Sequence, residues 1–160
     1  MITNFDLENI AHKENIPLID VFMKDKPPSK IYEGGYIINL QDAEQNEGGS
    51  HYTALFIPSH QKIIGYMDSF GFPPPQSTIN WIKKSSLRNY KIAYNTKQIQ
   101  NINSGGCGIY SLFFIQYMSK QNKKLSIEDA INNFSSLFDD DTSKNLNLLK
   151  QYAPYYMNSD

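Results

Sequence analysis

One cysteine is present in 160 residues. It is Cys107, in the stretch "NINSGGCGIYSLFFIQYM", behind two glycines and ahead of an apolar run. If Gly105-Gly106 forms a turn that feeds a helix, the unpaired N–H groups and the positive end of the helix dipole point at the sulfur. A thiolate is favoured there, and the thiolate is the form that attacks a carbonyl carbon. The glycines also let a substrate backbone come close. The same features suit a small buried hydrophobe at a helix start. The cysteine therefore needs partners before it reads as a nucleophile.

A nucleophilic cysteine needs an imidazole to carry its proton and a polar group to orient that imidazole. Three histidines are available. His12 falls in an N-terminal helix and His60 at a hairpin tip, both solvent positions. His51 falls in "NEGGSHYTALFI", between a glycine turn and a buried strand. If Ile57 pairs with Lys62 across a four-residue loop, 58–61, then His51 stands opposite Asp68. Partners so placed have Cβ atoms about 4.5–5.5 Å apart. A carboxylate there can fix the tautomer of the ring and stabilise its charged form. An oxyanion would need donors near the sulfur. The Cys107 N–H is one, and the side-chain amide of Gln98 or Gln100 could be the second. Gly49, Tyr52 and Gly106 flank the histidine and the cysteine and are the candidates for binding substrate. Tyr52, Phe70 and Phe72 would wall a cleft, with core packing as their plainer role.

These residues need a scaffold. A short amphipathic helix is read at 4–14, capped by Asn4 or Asp6, with Phe5, Leu7, Ile10 and Ala11 inward. "MKDKPPSK" is a loop, because Pro27 and Pro28 block regular structure. Strands are read at 36–40, 52–57 and 63–67, the last two as a hairpin. A helix is read over 76–89, a strand over 91–94, and helices from Cys107 to about Ser119 and over 126–137. Asp141 or Thr142 would cap a final helix. This order implies an α+β domain spanning 1–160, a small and largely antiparallel sheet with helices packed on it.

Composition limits the alternatives. Aromatics make up 13% of the chain, with eleven Tyr and nine Phe, which suits a packed globular protein. Fifteen basic and sixteen acidic residues leave a net charge of −1, so bulk charge gives no reason to expect nucleic-acid or membrane binding. A lone cysteine excludes an internal disulfide, and no Cys/His cluster has metal spacing, so no cofactor is expected. The N-terminus has no basic and apolar leader of the secretory kind. No apolar run reaches the roughly eighteen residues of a membrane span.

Four segments together resemble the adenovirus-type maturation cysteine proteases, with relatives in virophages and Polinton-like elements. They are "GGSHY", "YMDSFGF", "QNINSGGCG" and "VFMKDKPP". The likeness runs from about Ile16 to Met118, and the last forty residues match only as a helical tail. It implies a papain-like core shared with the SUMO and NEDD8 proteases. It also implies Cys107 as nucleophile, His51 as base and then acid, Asp68 orienting His51, and Gln100 rather than Gln98 as oxyanion donor. The adenoviral enzymes use Glu where this chain has Asp68. Such enzymes cleave virion precursor proteins at small residues, often Gly-Gly or Gly-X-Gly, within virions and in the cytoplasm or nucleus where virus assembles. A protease acting on ubiquitin-like tails and a non-catalytic peptide-binding module are the alternatives. The adenoviral enzymes are helped by DNA and by a disulfide-linked peptide. Here an activating peptide would have to bind without a disulfide, because Cys107 is the sole cysteine and a disulfide would cost catalysis. Near-neutral charge argues against DNA.

Overall fold

The computed structural model describes residues 2–41 and 51–158. The elements are α1 (Asn4–Lys13), β1 (Leu18–Met23), β2 (Gly34–Asn39), β3 (Tyr52–Ile57), β4 (Ile63–Met67), α2 (Gln76–Lys83), β5 (Lys91–Tyr94), α3 (Cys107–Gln121), α4 (Ile127–Ser136) and α5 (Asn145–Tyr152). Short 3-10 turns stand at Thr142–Lys144 and Pro154–Asn158. The strands form one sheet in the order β1-β2-β3-β4-β5. The two central pairings, β2–β3 and β3–β4, are antiparallel, and the outer two are parallel. The class is α+β as expected, with more parallel pairing at the edges than the sequence suggested.

The sheet is covered on both faces, which is why β3 is apolar throughout. Tyr52, Ala54 and Phe56 enter the layer built with α1, α3, α4 and α5. Leu55 and Ile57 enter the opposite layer with Trp81 and Ile82 of α2. A strand buried on both sides loses the apolar–polar alternation of a half-exposed one. Helix α3 is apolar nearly all round because it is the central helix, with Ile109, Tyr110, Leu112, Phe114 and Ile115 fully buried. It lies close to the sheet over Gly35, where a Cβ would come within 2.3 Å of Ile115. Gly35 and its neighbour Gly34 thus belong to a strand.

Several boundaries differ from the sequence reading. Helix α1 is capped by Thr3, not Asn4 or Asp6. Thr3 and Asp6 exchange side-chain and backbone hydrogen bonds in a capping box. Asn4 instead accepts from Asn39 and Tyr52. Phe5 is exposed, and Leu7 and Ala11 alone are the fully buried apolar residues of this helix. Strand β1 was not anticipated, because Asp20 interrupts its apolar pattern and it is an edge strand. Helix α2 stops at Lys83 rather than Asn89. The Ser85 hydroxyl donates to Ile82 O and accepts from Leu87 N, which turns the chain out of the helix.

The hairpin register also differs. Ala54 pairs with Met67, Leu55 with Tyr66 and Phe56 with Gly65. The connection is longer than four residues, because Gln61 is drawn out of it. Its amide donates to Asn122 O and Leu125 O and accepts from Ile127 N, at the joint between α3 and α4. One step further along, this register sets Asp68 across from Thr53 and Phe70 across from His51. The slip is two residues, so each side chain keeps its face.

Candidate active site

His51 stands just before β3, Asp68 just after β4, and Cys107 opens α3. Antiparallel pairing of β3 with β4 brings the first two to the same end of the sheet. The helix α3 lies across β3 and delivers the third. His51 and Asp68 meet diagonally: Nε2 lies 2.8 Å from Asp68 Oδ1. The other face of the ring system reaches Cys107, with which the His51 side chain also hydrogen-bonds. Since Asp68 occupies Nε2, Nδ1 is the nitrogen left for the sulfur. The backbone N–H of Tyr52 points at Sγ as well, at 3.5 Å. Phe70 stacks on the imidazole, with centroids 4.7 Å apart and planes 25° from parallel.

Burial of His51 works against its charged form. The hydrogen bonds and charges of Asp68 and Cys107 outweigh that, and its pKa rises from 6.5 to about 9. The ring therefore holds two protons at neutral pH. Asp68 is almost wholly enclosed, and its carboxylate accepts from Phe70 N at 2.8 Å. Its backbone is locked by Asn95, which accepts from Asp68 N and donates to Asp68 O.

Cys107 is partly exposed and is the first residue of its helix. Gly106 precedes it with φ of +103° and has no side chain with which to cap the first turn of α3. A Cβ on Gly106 would be strained at that φ and would lie 3.3 Å from the Tyr156 ring. Among the described residues, nothing lies within 4 Å of where a Gly105 side chain would stand.

Gln98 and Gln100 differ plainly in place. Gln98 is exposed and donates to the Gln100 carbonyl. Gln100 is 2% exposed, donates through Nε2 to Ser104 O at 2.8 Å, and accepts the Ser69 hydroxyl at Oε1. Ser104 stands three residues before Cys107, so this bond ties Gln100 to the cysteine loop. Tyr52 is not a cleft wall: its side chain is 5% exposed, and its phenol donates to Asn4. What it presents to the site is its backbone N–H. Gly49 lies outside the described residues. His12 and His60 are exposed and away from the cluster. Among the described residues, no group of three His, Cys, Asp or Glu could hold a metal ion.

Sequence reading passed over three contributors and gave a fourth a different role. Ser69 and Asn95 brace the Asp68 segment. Phe70 covers the imidazole, having been read only as a cleft wall. Asn145, fully buried, donates to Ile99 O at 2.8 Å next to Gln100. Serine and asparagine in loops are ordinary surface residues by composition, so nothing in the sequence singled them out.

Comparison with known proteins places this geometry in a family. Residues 45–146 match the family described as Ulp1 protease family, C-terminal catalytic domain. None of the curated proteins compared with the chain matches it. Among solved structures, the ASFV pS273R protease is similar at 20% identity and a TM-score of 0.58, over 95% of this chain and 66% of that one. AvrA delL154, solved with IP6 and CoA, is similar at 13% identity and a TM-score of 0.55, over 93% and 68%. At these identities the likeness is one of fold, and the chain spans just under two thirds of the ASFV protease. The family match covers well over half of the chain and includes His51, Asp68, Gln100 and Cys107. The chain belongs to the Ulp1 protease family, which it matches in the C-terminal catalytic domain.

Proposed function

We propose that the protein cleaves peptide bonds by thiol acyl transfer, with Cys107 as nucleophile, His51 as proton carrier, Asp68 as its orienting group and Gln100 as oxyanion donor. The observation that carries this is the single imidazole bonded on one side to Asp68 and on the other to the only sulfur nucleophile of the chain. Sγ attacks the carbonyl carbon, and the electron pair moves to the carbonyl oxygen. The Cys107 N–H and the Gln100 amide are the donors we assign to that oxyanion, each worth about 3 kcal/mol in other acyl-transfer enzymes. The proton on His51 passes to the leaving amine, and the C–N bond breaks. His51, now neutral, takes a proton from water as the water oxygen attacks the thioester; the C–S bond breaks, the carboxylic acid leaves, and the thiolate beside charged His51 is restored.

The substrates we assign are virion precursor proteins cut at Gly-Gly or Gly-X-Gly sites, during maturation where virus assembles. The sequence resemblance supports this, and so does the similarity of fold to a protease named for ASFV. The open side of Gly105 suits a substrate strand with small residues before the cut. A second reading, removal of ubiquitin-like tails, is favoured by the match to the Ulp1 family itself. Incubating the protein with a capsid precursor and, in parallel, with ubiquitin-like C-terminal fusions, then sequencing new termini by mass spectrometry, separates the two. New termini after glycine pairs in the precursor are expected. Cleavage of the fusions alone replaces the first reading with the second.

A further inference from the structure

We propose that Ser69 is a positioning residue that holds the Gln100 amide with its donating end toward the reacting carbonyl. The inference rests on the reading of Gln100 as oxyanion donor. A glutamine side chain has a donating end and an accepting end of nearly equal size. Turned one way it stabilises an oxyanion. Turned the other way it repels it. One neighbour picks the orientation, and a second, able to donate or accept, holds it. The Ser104 carbonyl can only accept, and it takes Nε2 at 2.8 Å. The Ser69 hydroxyl donates to Oε1.

Ser69 also holds the main chain. Its carbonyl accepts from Ile99 N and from Gln100 N, both at 2.9 Å. Serine 69 is 0% exposed, so no bulk water competes for these bonds. It directly follows Asp68. Two consecutive residues therefore align the two halves of the chemistry: Asp68 aligns the imidazole, and Ser69 aligns the donor for the oxyanion.

Alkylation and acylation of Cys107 tell this role from simple packing. Iodoacetamide is attacked at a saturated carbon and forms no oxyanion. p-Nitrophenyl acetate is attacked at a carbonyl and does, whatever the peptide specificity. Ser69→Ala is expected to acylate about tenfold more slowly, a fraction of what losing an oxyanion donor outright costs. Its alkylation should stay within about twofold of the unaltered protein. Ser69→Thr, which keeps the hydroxyl, should acylate within about threefold. The double variant Ser69→Ala/Gln100→Ala should be no slower than Gln100→Ala. Equal loss in both reactions makes Ser69 a packing element and overturns the inference. So does normal acylation by Ser69→Ala when Gln100→Ala is slow. Normal acylation by Gln100→Ala overturns the reading of Gln100 itself, and the inference with it.

Discussion

The aromatic block between α3, α4 and α5 and the polar end of the sheet beyond β3 and β4 are held together by opposite means. In the block, Phe113, Phe114, Phe134, Phe138 and Tyr152 pack ring against ring, with centroids such as 5.2 Å for Phe114–Phe134 and 5.5 Å for Phe134–Phe138. Such contacts are many, weakly directional and replaceable by neighbours. At the polar end, Asp68, Ser69, Asn95, Gln100 and Asn145 are none of them more than 3% exposed. Each fixes the main chain or side chain of another segment by directed hydrogen bonds. A buried hydrogen bond left unmade costs more than a made one contributes, so this end has few workable arrangements. The block supplies stability. The polar end supplies geometry.

That contrast is open to direct challenge. The largest expected effect is at the sulfur: Cys107→Ala should lower peptide turnover by at least about 10³-fold, with a thermal midpoint close to that of the unaltered protein. A residual activity near normal would break the assignment of the nucleophile. Next is Phe134→Ala, which should cost about 3–5 kcal/mol of stability in chemical denaturation. Turnover per folded molecule should hold, because Phe134 touches neither His51 nor Cys107; a specific loss of turnover would blur the division of labour.

Asp68→Asn should lower turnover about 100-fold, less than loss of the sulfur, and return the His51 titration, followed by NMR, from about 9 toward 6.5. The sign follows from the raised value. Charged His51 stabilises the fold fully below pH 6.5, and that contribution is lost as pH rises through about 9. A stability profile that is flat across this range in the unaltered protein would contradict the pairing. Asn145→Ala should cost about 2 kcal/mol, because it strands the Ile99 carbonyl and both backbone groups of Asp139. It should also reduce turnover of the folded fraction, unlike Phe134→Ala. The smallest effect belongs to exposed His60: His60→Ala should change turnover less than twofold, and an equal loss to that of His51→Ala would remove His51 as the proton carrier.

The block and the polar end were not equally legible. Apolar runs announced β3, β4 and α3, because covered strands and a central helix need little else. The His51–Asp68 meeting was foreseen from a hairpin register that proved two residues off. It survived because strand side chains repeat every two positions, so a slip of two changes a direct pair into a diagonal one. Gln61, in the hairpin connection, bonds to the α3–α4 joint sixty-odd residues away, a contact that local pattern does not encode. Strand β1 and the early end of α2 were missed for a related reason: an acidic residue in an edge strand and a serine turn look like many other loops. Ser69, Asn95 and Asn145 gain meaning only from the carbonyls and amides they meet after folding.

Cys107 is partly exposed and alone among its kind in the chain. Peroxide that reaches it makes a sulfenic acid, and no second thiol of the same molecule can capture that state as a disulfide. Recovery then depends on a small thiol diffusing in from outside, and without one the next oxidation step ends activity for good.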